Sequence, residues 1–240
     1  MTTNQKMFTT MAASALVAVL FFSTPATSSA TTTNLTTGQT INLGTVIGSN
    51  LGVQIGDKLF QDFFFSYLDT DGLNNDLIAS NVNLTALSNN IGFGVSFTQP
   101  LLALGPVIKD IVLKYSVTVT DPNFLISDIH LSITGSAGNG GLGTVGEDAF
   151  VGGFGASNVG HLQASIPVSS GDITNADIIP PVVKLWVQKD VIVTGGNNAN
   201  GFASITIIDQ TFSQVPEPST ALLVGLGLLG VVALKRTRKS

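Results

Sequence analysis

A chain of 240 residues that is 44% hydrophobic and only 10% charged carries enough apolar mass to bury a core, which excludes a disordered polymer. Its net charge of −5 disfavours nucleic acid as a partner. The absence of cysteine excludes a disulfide framework and thiol chemistry.

The first segment is a targeting element. Lys6 precedes an apolar stretch from Met11 to Phe22, followed by Pro25 and Ser28-Ser29-Ala30. A positive start, an apolar run of roughly 12 residues and small residues before the break describe a secretory signal peptide. Residues 1–30 are therefore expected to be removed by signal peptidase after Ala30. Thr31 to Thr40 is Thr-rich and reads as a flexible leader.

From residue 41 to 214 the pattern is period two. Ile91, Phe93, Val95 and Phe97 alternate with Gly92, Gly94, Ser96 and Thr98. Ile111 to Val119, Ile129 to Ile133 and Leu162 to Val168 repeat that alternation. Each run sets one apolar row against a core and one small polar row toward water. Further strands are expected at 41–47, 59–68, 77–84, 182–194 and 202–213, separated by Gly, Asn and Asp clusters. No long stretch shows a helical period. The expected fold is all-β, a single antiparallel β-sandwich of jelly-roll-like type between an N-terminal signal helix and a C-terminal transmembrane helix.

Several residues are candidates for chemistry. Phe60, Phe63, Phe64, Phe65, Tyr67 and Leu68 break the alternation, as a strand covered on both faces would; the alternative is an exposed aromatic row. Trp186, flanked by Lys184 and Gln188, falls on the polar face of its strand and is the candidate glycan contact. Asp69, Asp71, Asn74 and Asp76 form the candidate Ca2+ loop, although Gly72 and the missing closing glutamate break the EF-hand spacing and a hairpin turn fits better. Gly138 to Gly143 spells a dinucleotide-type glycine pattern without a following helix and reads as a loop. Glu147 and Asp148 are adjacent, so a strand points them to opposite faces. His130 and His161 read as solvent-facing spacers, with no local motif supplying a carboxylate. No Gly-x-Ser-x-Gly elbow occurs. The expectation is a protein without catalytic residues and with no cofactor beyond that calcium candidate.

The chain closes with Val215-Pro216-Glu217-Pro218, an apolar run Ala221 to Leu234, and Lys235, Arg236, Arg238 and Lys239. A helix over 220–234 has an apolar run spanning about 21 Å against about 30 Å of hydrocarbon, so it suits a transient membrane stay better than a permanent one. Lys6 and the basic end keep both termini cytoplasmic and place the middle across the membrane. That middle, residues 31–215, has five lysines, no arginine and 14 acidic residues, leaving −9.

Pro216-Glu217-Pro218, the short apolar span and the basic end together resemble the PEP-CTERM sorting signal over residues 215–240. Gly56-Asp57-Lys58-Leu59-Phe60 is similar to an opening found in small exported proteins of that kind. The resemblance implies recognition by an exosortase at the inner membrane, cleavage near the motif, and delivery to the cell surface or extracellular matrix. It also implies an association with exopolysaccharide and biofilm, while assigning no activity to residues 31–215. The function expected is therefore a non-enzymatic surface or matrix protein. Its rivals are a glycan- or calcium-binding module and, less favoured, a glycoside-active enzyme.

Overall fold

The computed structural model describes residues 31–70 and 77–217. Ala30, Asp71, Asn74, Asp76, Pro218, the 220–234 span and the Lys235, Arg236, Arg238 and Lys239 cluster lie outside the described residues.

Two sheets face each other. Sheet A runs, edge to edge, β1 (Thr32–Asn34), β3 (Gly52–Ile55), β4 (Lys58–Asp69), β7 (Ile108–Val119), β12 (Lys184–Thr194), β9 (Leu142–Val151) and β10 (Ser157–Ile166). Sheet B runs β11 (Asn175–Val182), β8 (Phe124–Gly138), β13 (Phe202–Pro216), β6 (Phe93–Leu104), β5 (Asn83–Ser88) and β2 (Thr40–Asn42). The described strand pairs are antiparallel except β1 with β3. This is the all-β sandwich that the alternation indicates.

The core lies between the sheets. On β12, Leu185, Val187, Val191 and Val193 are buried, whereas Trp186 and Gln188 face outward. Tyr115 at the centre of β7 meets Phe60, Phe63 and Phe97 with ring centroids 5.7–6.0 Å apart, bridging both sheets. Each such buried side chain stabilises the fold by about 1.5–3 kcal/mol. Gly94 on β6 is required where that strand crosses β13, because a Cβ there would collide with the Gln210 carbonyl.

Local differences from the sequence reading have physical causes. The leader is not free: Thr32–Asn34 pairs in parallel with Gly52–Gln54. The stretch 41–47 is mostly helix, α1 (Leu43–Gly48), because the Asn42 side chain accepts the Thr45 N–H at 3.3 Å and caps it. Within 77–84, a 3-10 turn at Ala79–Asn81 precedes β5. Strand β11 carries Pro180 and Pro181, which it tolerates as the edge of sheet B. On β4 a bulge lies between Gln61 and Phe64, with Asp62 at φ +57. The bulge resets the phase, so Phe60, Phe63, Phe65 and Tyr67 pack inward while Phe64 and Leu68 point out. Strand β3 pairs only with Lys58–Phe60, so the rest of β4 is an edge, and the exposure of Phe64 and Leu68 shows that this part of the strand is covered on one face and not on both.

Candidate functional site

The outer face of sheet A gathers the polar and aromatic side chains. Pairing register aligns Phe64, Lys114, Gln188, Asp148 and His161 in one row across β4, β7, β12, β9 and β10. Trp186 stands in the next row, between Ser116 and Phe150. Phe64 is 49% exposed and Trp186 is half-buried. Lys114 Nζ lies 5.8 Å from the Phe64 ring and 5.6 Å from Phe154, and Lys184 Nζ lies 4.7 Å from the Trp186 ring. The same Lys184 reaches Asp62 Oδ2 at 3.2 Å, and that oxygen accepts the Ser116 hydroxyl at 2.7 Å. Flat apolar rings surrounded by donors and acceptors are the chemistry that takes up a sugar ring. A sugar stacking on the lysine-covered face of Trp186 has to displace Lys184.

The other candidates fall elsewhere. Asp69, the one described member of the calcium loop, ends β4 buried against Lys109 at 3.1 Å and accepts the Tyr67 hydroxyl at 2.6 Å. It is a core anion and not an open ligand. Among the described residues no group of three or more His, Cys, Asp or Glu is placed to hold a metal. His130 and His161 sit on different sheets, and each has a carboxylate: Asp128 at 2.7 Å and Asp148 at 2.9 Å. Asp128 stands two residues before His130 on the same strand face, a pairing that the alternation already implied. Ser213 Oγ is 3.3 Å from the same His130 nitrogen, Nε2, that faces Asp128. A nucleophile relay needs the two ring nitrogens to serve two partners, so this trio does not form one. His130, Ser132, Thr174, Asn175, Asp209 and Thr211 line a groove of about 420 Å³ on sheet B.

Glu147 and Asp148 point oppositely, as adjacent strand residues must. Asp148 joins the outer row, while Glu147 enters the core directly opposite Lys189. Lys189 Nζ donates to Glu147 Oε2 and to Gln210 Oε1, the latter at 2.5 Å from sheet B. All three side chains are sealed from water. Burial pushes Lys189 below the usual lysine range against the raising pull of Glu147, and pushes Glu147 upward against the lowering pull of Lys189. Burial, with the Glu147 charge adding, holds the Tyr115 hydroxyl well above its ordinary range. Tyr115 Oη has no hydrogen-bond partner, and Glu147 Oε1 and Gln210 Nε2 make no close hydrogen bond, although the Gln210 amide lies near enough to the Glu147 carboxyl to pull it down. This cluster escaped the sequence reading although the signal existed: Lys189, Glu147 and Gln210 each occupy the apolar phase of their strand.

The sorting end grows out of the fold. Strand β13 continues through Val215, opposite Leu125, and Pro216, opposite Phe124. Glu217 N then donates to Asn123 O at 2.8 Å. The sandwich thus runs from Thr32 to Pro216, past the expected limits of 41 and 214. Strand β6 ends its pairing at Phe212, so Pro216 lacks a neighbour on that side and its missing N–H costs no ladder bond.

Residues 214–239 match the PEP-CTERM protein-sorting motif. The chain carries an exosortase sorting signal. It is an exported protein, sorted at the membrane as an exosortase substrate. Among the described residues no helix is long and apolar enough to cross a membrane, and the 220–234 span lies outside them. No curated protein matches the sequence. Among solved structures the chain is similar to the enzymatically active domain of bacteriophage CBA120 tailspike protein 4. The identity is 11% and the TM-score 0.22, over 67% of this chain and 20% of that one. The chain thus spans about a fifth of that structure's length.

Proposed function

We propose that the exported sandwich is a non-enzymatic structural or adhesive component of the cell surface or extracellular matrix. It contacts neutral exopolysaccharide through the outer face of sheet A. The observation that carries this reading is the pair of outward aromatic rings, Phe64 and Trp186, set among Lys114, Gln188 and Asp148 on one continuous strand surface. An acidic exported domain of net −9 repels polyanions, which favours uncharged sugar chains. Signal peptidase and exosortase are its processing enzymes, the inner membrane is a transient station, and calcium is not required.

Binding to matrix polysaccharide is the test. The Phe64→Ala/Trp186→Ala double variant is expected to lose about tenfold in affinity, corresponding to about 1.4 kcal/mol of stacking, without a change in melting behaviour. Undiminished binding by the folded double variant overturns the reading. Delivery has its own check: Glu217→Ala, or deletion of residues 235–239, is expected to leave the sandwich folded and the protein misrouted.

A further inference from the structure

We propose that Lys189 and Gln210 become joined by an amide bond that the folded protein makes itself, with Glu147 moving the protons. The bond ties β12 of sheet A to β13 of sheet B. The proposal stands independently of any polysaccharide contact.

The geometry supplies what amide exchange needs. Lys189 Nζ is already in contact with the Gln210 carboxamide, 2.5 Å from Oε1. Glu147 Oε2 holds the same nitrogen, and the carboxylate's second oxygen makes no close hydrogen bond. Gln210 Nε2, the group that has to leave, makes no close hydrogen bond either, and its amide lies near enough to the Glu147 carboxyl to be within reach of the proton carrier. Nucleophile, electrophile and proton carrier are all closed off from water, so hydrolysis does not compete and the reactants are held as neighbours. Burial drives the pair toward free amine and protonated carboxyl, the forms in which the amine attacks and the acid donates.

The atoms balance without an outside reagent. Lys189 passes a proton to Glu147, and the freed lone pair of Nζ attacks Gln210 Cδ. The carbonyl π pair moves to Oε1, which takes the proton from Glu147. Glu147 then removes a proton from the positively charged Nζ and hands it to Nε2. The carbonyl reforms as the Cδ–Nε2 bond breaks, ammonia departs, and the proton on Oε1 returns to Glu147. One amide is exchanged for another, nothing is oxidised or reduced, and Glu147, left holding the proton that Lys189 brought, returns to its starting form by giving it to the departing ammonia, which leaves as ammonium.

The placement also has a mechanical meaning. Strand β13 leads directly into the sorting motif, so a pull on the chain's attached end arrives there first. Because β13 belongs to sheet B, a bond from Gln210 to Lys189 passes the load to sheet A. In an exported chain without cysteine, this linkage takes the role a disulfide would have.

The test is the intact mass of the exported full-length product under denaturing conditions, with both ends fixed by terminal peptides. The expected mass is below the sequence value by one ammonia. Trypsin is expected not to cut after Lys189, and fragmentation to show a branched peptide joining Lys189 to Gln210. Folded Glu147→Gln protein is expected to keep the unlinked mass at Lys189 and Gln210. An ordinary Lys189 peptide in the natural protein overturns the proposal. So does loss of one water with a Lys189–Glu147 branch, or a branch joining Lys58 to Gln214 alone. The natural protein decides the matter even where the variant does not fold.

Discussion

Two lysines of sheet A make the same set of contacts in two different settings. Lys189 meets Glu147 and Gln210 at the centre of the sandwich; Lys58 meets Asp57 at 2.6 Å and also donates to Gln214 near its rim. Both glutamines belong to β13, four residues apart. Glu147 is fully closed from water, whereas the Asp57 side chain keeps 19% of its surface open in the β3–β4 turn. Burial leads the shift of both lysines, lowering each. The polar partners are of the same kinds, although Lys58 also lies 6.0 Å from the Phe93 ring, and the main difference is what lies behind the carboxylate: protein for Glu147, solvent for Asp57. Whether an ion pair is a sealed reactive centre or a hydrated clasp is decided there.

That contrast makes its largest prediction at the centre. Lys189→Ala strands Glu147 among apolar side chains and removes a packed stem, and is expected to destabilise the sandwich by about 3–5 kcal/mol in urea unfolding. Lys58→Ala is expected to cost about 1–3 kcal/mol, because water can reach Asp57 once its partner is gone. Equal losses would break the comparison, since they would mean that the rim is as dry as the centre.

The contrast also separates what the sequence displayed from what it concealed. Period two located most long strands, put Trp186 outside, and divided Glu147 from Asp148, because pleating alone determines those outcomes. The turn preceding Lys58 went unread, since Gly56 stands inside a stretch that reads only as strand-like; in the structure Gly56 adopts φ +57 in a two-residue hairpin turn. The bulge at Asp62 was not visible, since a non-glycine residue at positive φ has no local signature strong enough to reveal it. Its consequence, Phe64 outward between inward Phe63 and Phe65, was therefore hidden too. The Lys189–Glu147–Gln210 cluster required knowing which sheet each strand joins, a matter of tertiary pairing. The calcium candidates Asp71, Asn74 and Asp76 lie outside the described residues and stay as expectations, while Asp69 is taken up by Lys109.

A carboxylate pair extends the comparison to the case where like charges meet. Asp110 and Asp190 approach on the outer face of β7 and β12, and burial together with Asp190 raises the Asp110 carboxyl to about 6. Its folded pKa thus lies above the unfolded value of 3.8. The stabilisation from the shared proton is complete below that unfolded value and is lost as pH rises through about 6. Urea midpoints are expected to fall between pH 4 and pH 6.5 or so in the natural protein, by less than the shift converts to, because solvent screens this face. Asp190→Asn is expected to flatten that dependence. A slope unchanged in the variant would place its origin elsewhere.

The smallest effect on stability is expected where the charge is most open, at Lys184 above the Trp186 ring. Lys184 is 31% exposed at its side chain and Asp62, its partner, 51%, so Lys184→Ala is expected to cost no more than about 1 kcal/mol. Its effect on binding runs the other way. The ammonium covers an indole face, and a sugar that stacks there must first move it. Removing Lys184 is therefore expected to tighten matrix-polysaccharide binding by a fewfold while Trp186→Ala weakens it. Measured together, the two variants separate stacking from charge attraction: if the lysine itself recruits the polymer, both substitutions weaken binding, and the open ring is not the contact.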